Sequence, residues 1–95
     1  MHLEIITPEA KVFTGEVTAV QFPGLDGAFQ VLENHAAIIS ALTKGNVKVN
    51  LTNSFEGTQN NDLIEIDSKD KKVIRIDIKG GVMEMLNNKI IVLAE

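Results

Sequence analysis

From Asn46 to Thr52 the chain alternates without a break. Val47, Val49 and Leu51 share one parity; Asn46, Lys48, Asn50 and Thr52 share the other. A period of two sends successive side chains to opposite faces, so this segment predicts a strand packed on one side and wet on the other. The pattern returns at 73–78, where Ile74, Ile76 and Ile78 oppose Val73, Arg75 and Asp77. No stretch carries a convincing amphipathic helical stripe. The one rival, 36–42 (AAIISAL), is too short for periodicity to decide. A chain of this kind must bury one face of each of several short strands.

The remaining strands fall between turn residues. Strands are predicted at 3–7, stopped by Pro8, at 11–14, ending at Gly15, and at 16–22, closed by Pro23. Pro23-Gly24-Leu25-Asp26-Gly27 is turn chemistry, in which proline fixes φ and the two glycines permit left-handed backbone. A short strand follows at 28–32 and is broken by Glu33-Asn34-His35. Thr43-Lys44-Gly45 forms a turn before the alternating strand. Residues 53–62 are polar, with Phe55 their single anchor, and a strand resumes at 63–67. After the charged turn 68–72 come strands at 73–78, 82–86 and 89–93. Gly80-Gly81 allows a bend or bulge, and Asn87-Asn88 suits a tight primed hairpin turn. About ten short strands predict an all-β sandwich or flattened barrel. At 95 residues the chain makes a single domain, 1–95.

Composition narrows the function. The 44% hydrophobic content is supplied mainly by Ile, Val and Leu, which suits a folded β protein. The absence of cysteine rules out a disulfide framework or a thiol nucleophile. A net charge of −4 without a Lys/Arg cluster argues against nucleic acid as a partner. No Trp or Tyr offers a stacking platform for bases or sugars. The N-terminus does not read as a signal peptide, and no run approaches the roughly 20 apolar residues of a membrane span.

Catalytic patterns are missing too. His2 stands at a terminus expected to fray, and neither it nor His35 has metal-ligand spacing. His35 reads as a residue whose ring bonds nearby backbone and shapes the turn. Asp62, Glu65, Asp67, Asp70 and Asp77 alternate with isoleucines or sit in turns, as a solvated face would. Neither Gly24-x-x-Gly27 nor Gly80-Gly81 is followed by the Lys-Ser/Thr of a phosphate-binding loop. No metal or cofactor is expected. The residues favour an interaction module over an enzyme, and the region around Gly24–His35 is the candidate contact edge, since loops on rigid scaffolds carry binding.

The segment PGLDGAFQVLENHAAII resembles the PG-x-x-G-x-x-x-V-L-x-N-H-A segment of the epsilon subunit of the F-type ATP synthase. LEIITPEAKVFTGEV and KGGVMEMLNNKIIVLAE agree in order and position, and the three cover about two-thirds of the chain. The resemblance implies the same β-sandwich, placed at the foot of the central stalk. It implies the gamma subunit, the rotor ring and the catalytic head as partners, with torque passing between ring and gamma. The address it implies is peripheral, on the cytoplasmic side of a bacterial membrane, with membrane contact through the complex. By the same resemblance Gly24, Leu25, Asp26, Gly27 and Ala28 face the ring. Glu33, Asn34 and His35, with Thr7 nearby, lie toward gamma or the ring-side edge.

The chain departs from the family pattern at Gln30, Glu33 and Ala37, and the segment between Gly45 and Gly80 is longer than usual, predicting an extended hairpin around 52–72. Longer members carry a helical hairpin after the sandwich that senses ATP and blocks rotation. Val92-Leu93-Ala94-Glu95 matches the sandwich's end, so no C-terminal helical hairpin and no such brake are expected. A different class remains open: a lipoyl- or biotinyl-type swinging-arm carrier, with Lys71 at the tip of the charged turn as the modified residue.

Overall fold

The computed structural model describes residues 1–55 and 63–95. Nine strands and no helix occur among them: β1 (His2–Ile6), β2 (Lys11–Gly24), β3 (Gly27–Leu32), β4 (Ile38–Leu42), β5 (Gly45–Leu51), β6 (Ile64–Ile66), β7 (Val73–Ile78), β8 (Gly81–Leu86) and β9 (Lys89–Ala94). The ambiguous stretch 36–42 resolves as strand β4. The strand expected at 63–67 shortens to β6, and most of the polar stretch 53–62 lies outside the described residues.

The largest difference from the sequence reading is β2. It was expected as two strands parted by Gly15 and closed by Pro23; it runs unbroken for 14 residues. Gly15 does not end the strand. It pairs with Leu3, and a Cβ there would stand 3.1 Å from the Phe13 ring, so the glycine clears space for a buried aromatic. Pro23 stays in register opposite Ala28, and its carbonyl accepts from Thr43 N at 2.8 Å. Gly45 opens β5 because its missing Cβ leaves room for the Pro23 ring, 2.8 Å from where that atom would lie.

β2 is long enough to serve two layers. Its first half pairs antiparallel with β1, and its second half pairs with β3 and β5. The register shifts between Val17 and Ala19, and Thr18 Oγ1 donates to Asn50 O there. Such a bulge bends and twists a strand. One layer therefore runs β3-β2-β5-β7-β6 and the other runs β2-β1-β9-β8-β4, with β1 and β9 parallel. β4 meets β2 again where Leu42 pairs with Gly24, which closes the second layer on itself. Between them lie Leu3, Ile5, Phe13, Phe22, Val47, Val49, Ile74, Ile76, Met83 and Met85, all buried. Val47, Val49 and Leu51 face inward, as their alternation requires.

Two turns show why their residues are there. Asn87 and Asn88 both have left-handed φ, 52° and 61°, as a two-residue primed hairpin requires. In the charged turn, Asp67 Oδ2 accepts from the backbone N–H groups of Lys69 and Asp70, both at 3.0 Å, and Oδ1 accepts from Arg75 Nη1 at 2.9 Å. Lys71 is exposed in this turn, and its carbonyl accepts from Phe55 N at 2.9 Å.

The Arg75 hydrogen bond, then that from Lys69, hold the Asp67 carboxyl below its ordinary value of 3.8. A carboxyl with a lower pKa folded than unfolded adds stability above its unfolded pKa and loses it as pH falls through the folded one. Asp67→Asn should therefore lower the urea midpoint slightly at neutral pH, the pair being solvent-facing. The difference should vanish in strong acid. A gap of constant size across an acid series would show that the charge of Asp67 does not matter.

Candidate partner-binding site

The contact edge predicted at 24–35 is built on the β2–β3 hairpin. Gly24 pairs with Gly27, leaving Leu25 and Asp26 as the turn. Gly27 has φ +120°, a conformation that side chains rarely adopt. Gly24 plays another part than the left-handed one expected. A Cβ there would stand 2.6 Å from Gly27 O and 2.9 Å from the Phe29 ring, so the glycine permits close approach. Leu25 projects from the tip, 66% exposed, while its N–H donates to Ala41 O.

Glu33, Asn34 and His35 lie at the other end of β3, on the order of 17 Å away for six strand residues. Here the backbone turns through Asn34 (φ 63°), and His35 N donates to Leu32 O. Asn34 N donates to Asn88 Oδ1 at 2.8 Å, and Asn88 O accepts from His2 N. The Met1 ammonium donates to Glu33 Oε1 at 2.8 Å. His35 Nδ1 donates to Ala36 O at 2.7 Å, the backbone-shaping contact its position suggested. Residues distant in sequence are thus tied into one rigid corner.

Two expectations need correction. His2 is no frayed terminus: it belongs to β1, and its ring meets Glu16 Oε2 at 2.7 Å and Thr14 Oγ1 at 3.3 Å. Thr7 is not near Glu33 to His35. It follows the far end of β1 from the Met1–Glu33 pair, and its hydroxyl donates to Ala10 O in a local turn. The structure separates the predicted residues into the hairpin tip, Gly24 to Ala28, the Glu33 to His35 corner, and Thr7 apart from that corner.

Sequence reasoning missed a third surface. On the outer face of β4, β8 and β9, Ile39 (70% exposed), Leu93, Leu86 and Val82 are large apolar residues open to solvent. A signal was available, because KIIVLA in β9 does not alternate with polar residues, as a strand wet on one side would. The opposite layer does alternate: its outer face carries Gln30, Gln21, Lys48, Arg75 and Glu65 as one cross-strand row. Among the described residues no group of three or more His, Asp or Glu is placed to hold a metal ion.

A small two-layer β body with an exposed hairpin tip and an apolar outer face defines the class, a β-sandwich domain. Residues 1–60 match the family model described as the ATP synthase delta/epsilon chain β-sandwich domain, and the chain belongs to that family. Membership carries the non-catalytic reading with it. The chain is 38% identical over 93 residues to the ATP synthase epsilon chain of Chlorobium limicola, covering 98% of this chain and 86% of that one. It is 34% identical to the epsilon chain of Campylobacter concisus, covering 100% of this chain but only 60% of the relative. Among solved structures, a chain of the Tetrahymena thermophila mitochondrial ATP synthase central stalk and c-ring shares the fold. It superposes with TM-score 0.71 at 13% identity, over 99% of this chain and 62% of that chain. Family membership leaves the swinging-arm carrier on Lys71 without a basis.

Proposed function

We propose that the chain works in the central stalk of a proton-translocating ATP synthase. There it binds the gamma subunit, rests on the rotor ring beneath the catalytic head, and passes torque between ring and gamma. On this reading it lies on the cytoplasmic side, reaching the membrane only through the complex. The observation that carries the reading, beyond family membership, is the free edge of β3. Among the described residues this strand pairs with β2 alone, and Ala28, Gln30 and Leu32 are exposed along it. Leu25 stands at one end and His35 at the other. The tip and the corner lie too far apart for one point contact, yet both reach a flat surface laid along β3. Such a surface suits a ring of repeated loops, and an unpaired edge is otherwise a liability that proteins cover.

The chain has no cysteine, so single cysteines report cleanly. Leu25→Cys, Gln30→Cys and His35→Cys should each cross-link to ring subunits in the assembled complex, and Glu65→Cys, on the far edge strand, should not. Cross-linking from Glu65 alone would remove β3 from the ring.

A further inference from the structure

The layer β3-β2-β5-β7-β6 has two edges, and they are built differently. β6 is three residues long and carries Glu65, the short, charged form that discourages a further strand. β3 is six residues long, Gly27–Leu32, without a charge or a proline. The direction of its backbone groups follows from β2. Pro23 O accepts from Thr43 N and Leu25 N donates to Ala41 O, so residues 23 and 25 turn away from β3 and Gly24 turns toward it. Backbone groups alternate sides along a strand, so Gly27, Phe29 and Val31 are the residues that bond β2. Ala28 and Gln30 then point their N–H and C=O groups outward, as Leu32 does its N–H. Among the described residues no strand meets them. Leu32 O already accepts from His35 N.

We propose that this edge pairs with the same edge of a second copy of the chain, β3 against β3 in antiparallel, about a two-fold axis at Gln30. The strand is complementary to itself in that register. The outward groups of the two Gln30 residues exchange hydrogen bonds, and Ala28 stands opposite the second copy's Leu32, so all three outward residues are used. The two Gln30 side chains share a face, where an amide can both donate and accept. No like charges are brought opposite each other. Glu33, held by the Met1 ammonium at 2.8 Å, comes opposite Gly27, and Asp26 comes to the Asn34–His35 corner. An interface one strand wide belongs to the smallest class, under about 1,200 Å², so the pair is weak, with a Kd on the order of 10–100 µM. The proposal does not rest on the stalk reading. Where that reading holds, the second copy and the ring compete for one edge, and the pair is a form of the chain outside the complex.

Sedimentation equilibrium of the isolated chain, from about 5 to 500 µM, should show a monomer–dimer equilibrium. Gln30→Pro removes an outward N–H and leaves the β2–β3 ladder whole, while Gln30→Lys sets two ammonium groups together at the axis. Each should raise Kd at least about tenfold. Circular dichroism and melting establish that each is folded, and Gln30→Lys decides the matter where Gln30→Pro is not. Leu93→Glu, on the apolar outer face, should leave Kd within about twofold. Single cysteines read the register. Gln30→Cys should oxidise to a disulfide dimer at least about tenfold faster than Ala28→Cys, whose twin lies four residues, about 13 Å, along the strand. A chain that stays monomeric to about 500 µM overturns the proposal. So does a dimer that both Gln30 changes leave intact; its loss with Leu93→Glu would assign it to the apolar face. Equal disulfide rates at positions 28 and 30 overturn it as well. Loss of the ring cross-links in the complex, with self-pairing intact, overturns the stalk reading alone.

Discussion

Gly81→Ala is expected to destabilise the domain by about 4 kcal/mol, a large fraction of the roughly 5–14 kcal/mol that a domain of this size possesses. Two effects add. Gly81 has φ +147°, which L-residues reach only at a strain of about 1–3 kcal/mol. A Cβ there would also stand 2.3 Å from Leu93 O and 3.0 Å from Ala94 Cα, both backbone atoms of the paired strand, which cannot rotate away. Gly80 separates the two effects. Its φ of +149° imposes similar strain, but its nearest neighbour, Leu42 O, lies 3.4 Å from the Cβ position. Gly80→Ala should therefore cost only the strain. Thermal melts should fall by about 15–30 °C for Gly81→Ala and by clearly less for Gly80→Ala, given about 4–8 °C per kcal/mol at this size. Equal losses would mean that the Leu93 carbonyl imposes nothing.

Phe22→Ala should cost about 3–5 kcal/mol, the usual penalty for removing a buried aromatic and leaving a cavity. Phe22 is 1% exposed, and its ring centroid lies 5.5 Å from that of Phe29, tilted by 34°. Phe29 is only partly buried, so Phe29→Ala should cost less. The rings touch, so the double variant should lose less than the sum of the singles by about 0.5–1.5 kcal/mol. Urea unfolding of all four proteins measures this directly. Strict additivity would show that the Phe22–Phe29 contact contributes only through burial. Gly24 belongs to the same unit, since the Phe29 ring occupies the space its side chain would need.

What could be read from the residues alone followed local chemistry. The 46–52 alternation and the Ile74-Ile76-Ile78 parity appear in the structure as inward faces, and Asn87-Asn88 is the hairpin turn. The failures share a cause: each depended on a neighbour far along the chain. Gly15 resembles a strand terminator until the Phe13 ring is seen over it, and Pro23 resembles one until Thr43 and Gly45 supply its surroundings. Thr7 was grouped with Glu33 to His35 by analogy, yet β1 runs between them. The unbroken apolar run of β9 hinted at an apolar outer face, but its extent stayed hidden because Ile39, Val82 and Leu93 come from three separate strands. Only the β4-β8-β9 register makes them neighbours.

β2 gives the body a mechanical character as well. Because one backbone enters both layers, a sideways load on the β3 edge reaches β1 along covalent bonds as well as through side-chain packing. At β2 the layers cannot slide past each other without stretching that strand or shearing two hydrogen-bonded ladders along their length. Bonds loaded in shear share the force, whereas bonds peeled from one end give way singly. The sandwich is therefore stiffest against a load directed along β2, the strand that both layers share.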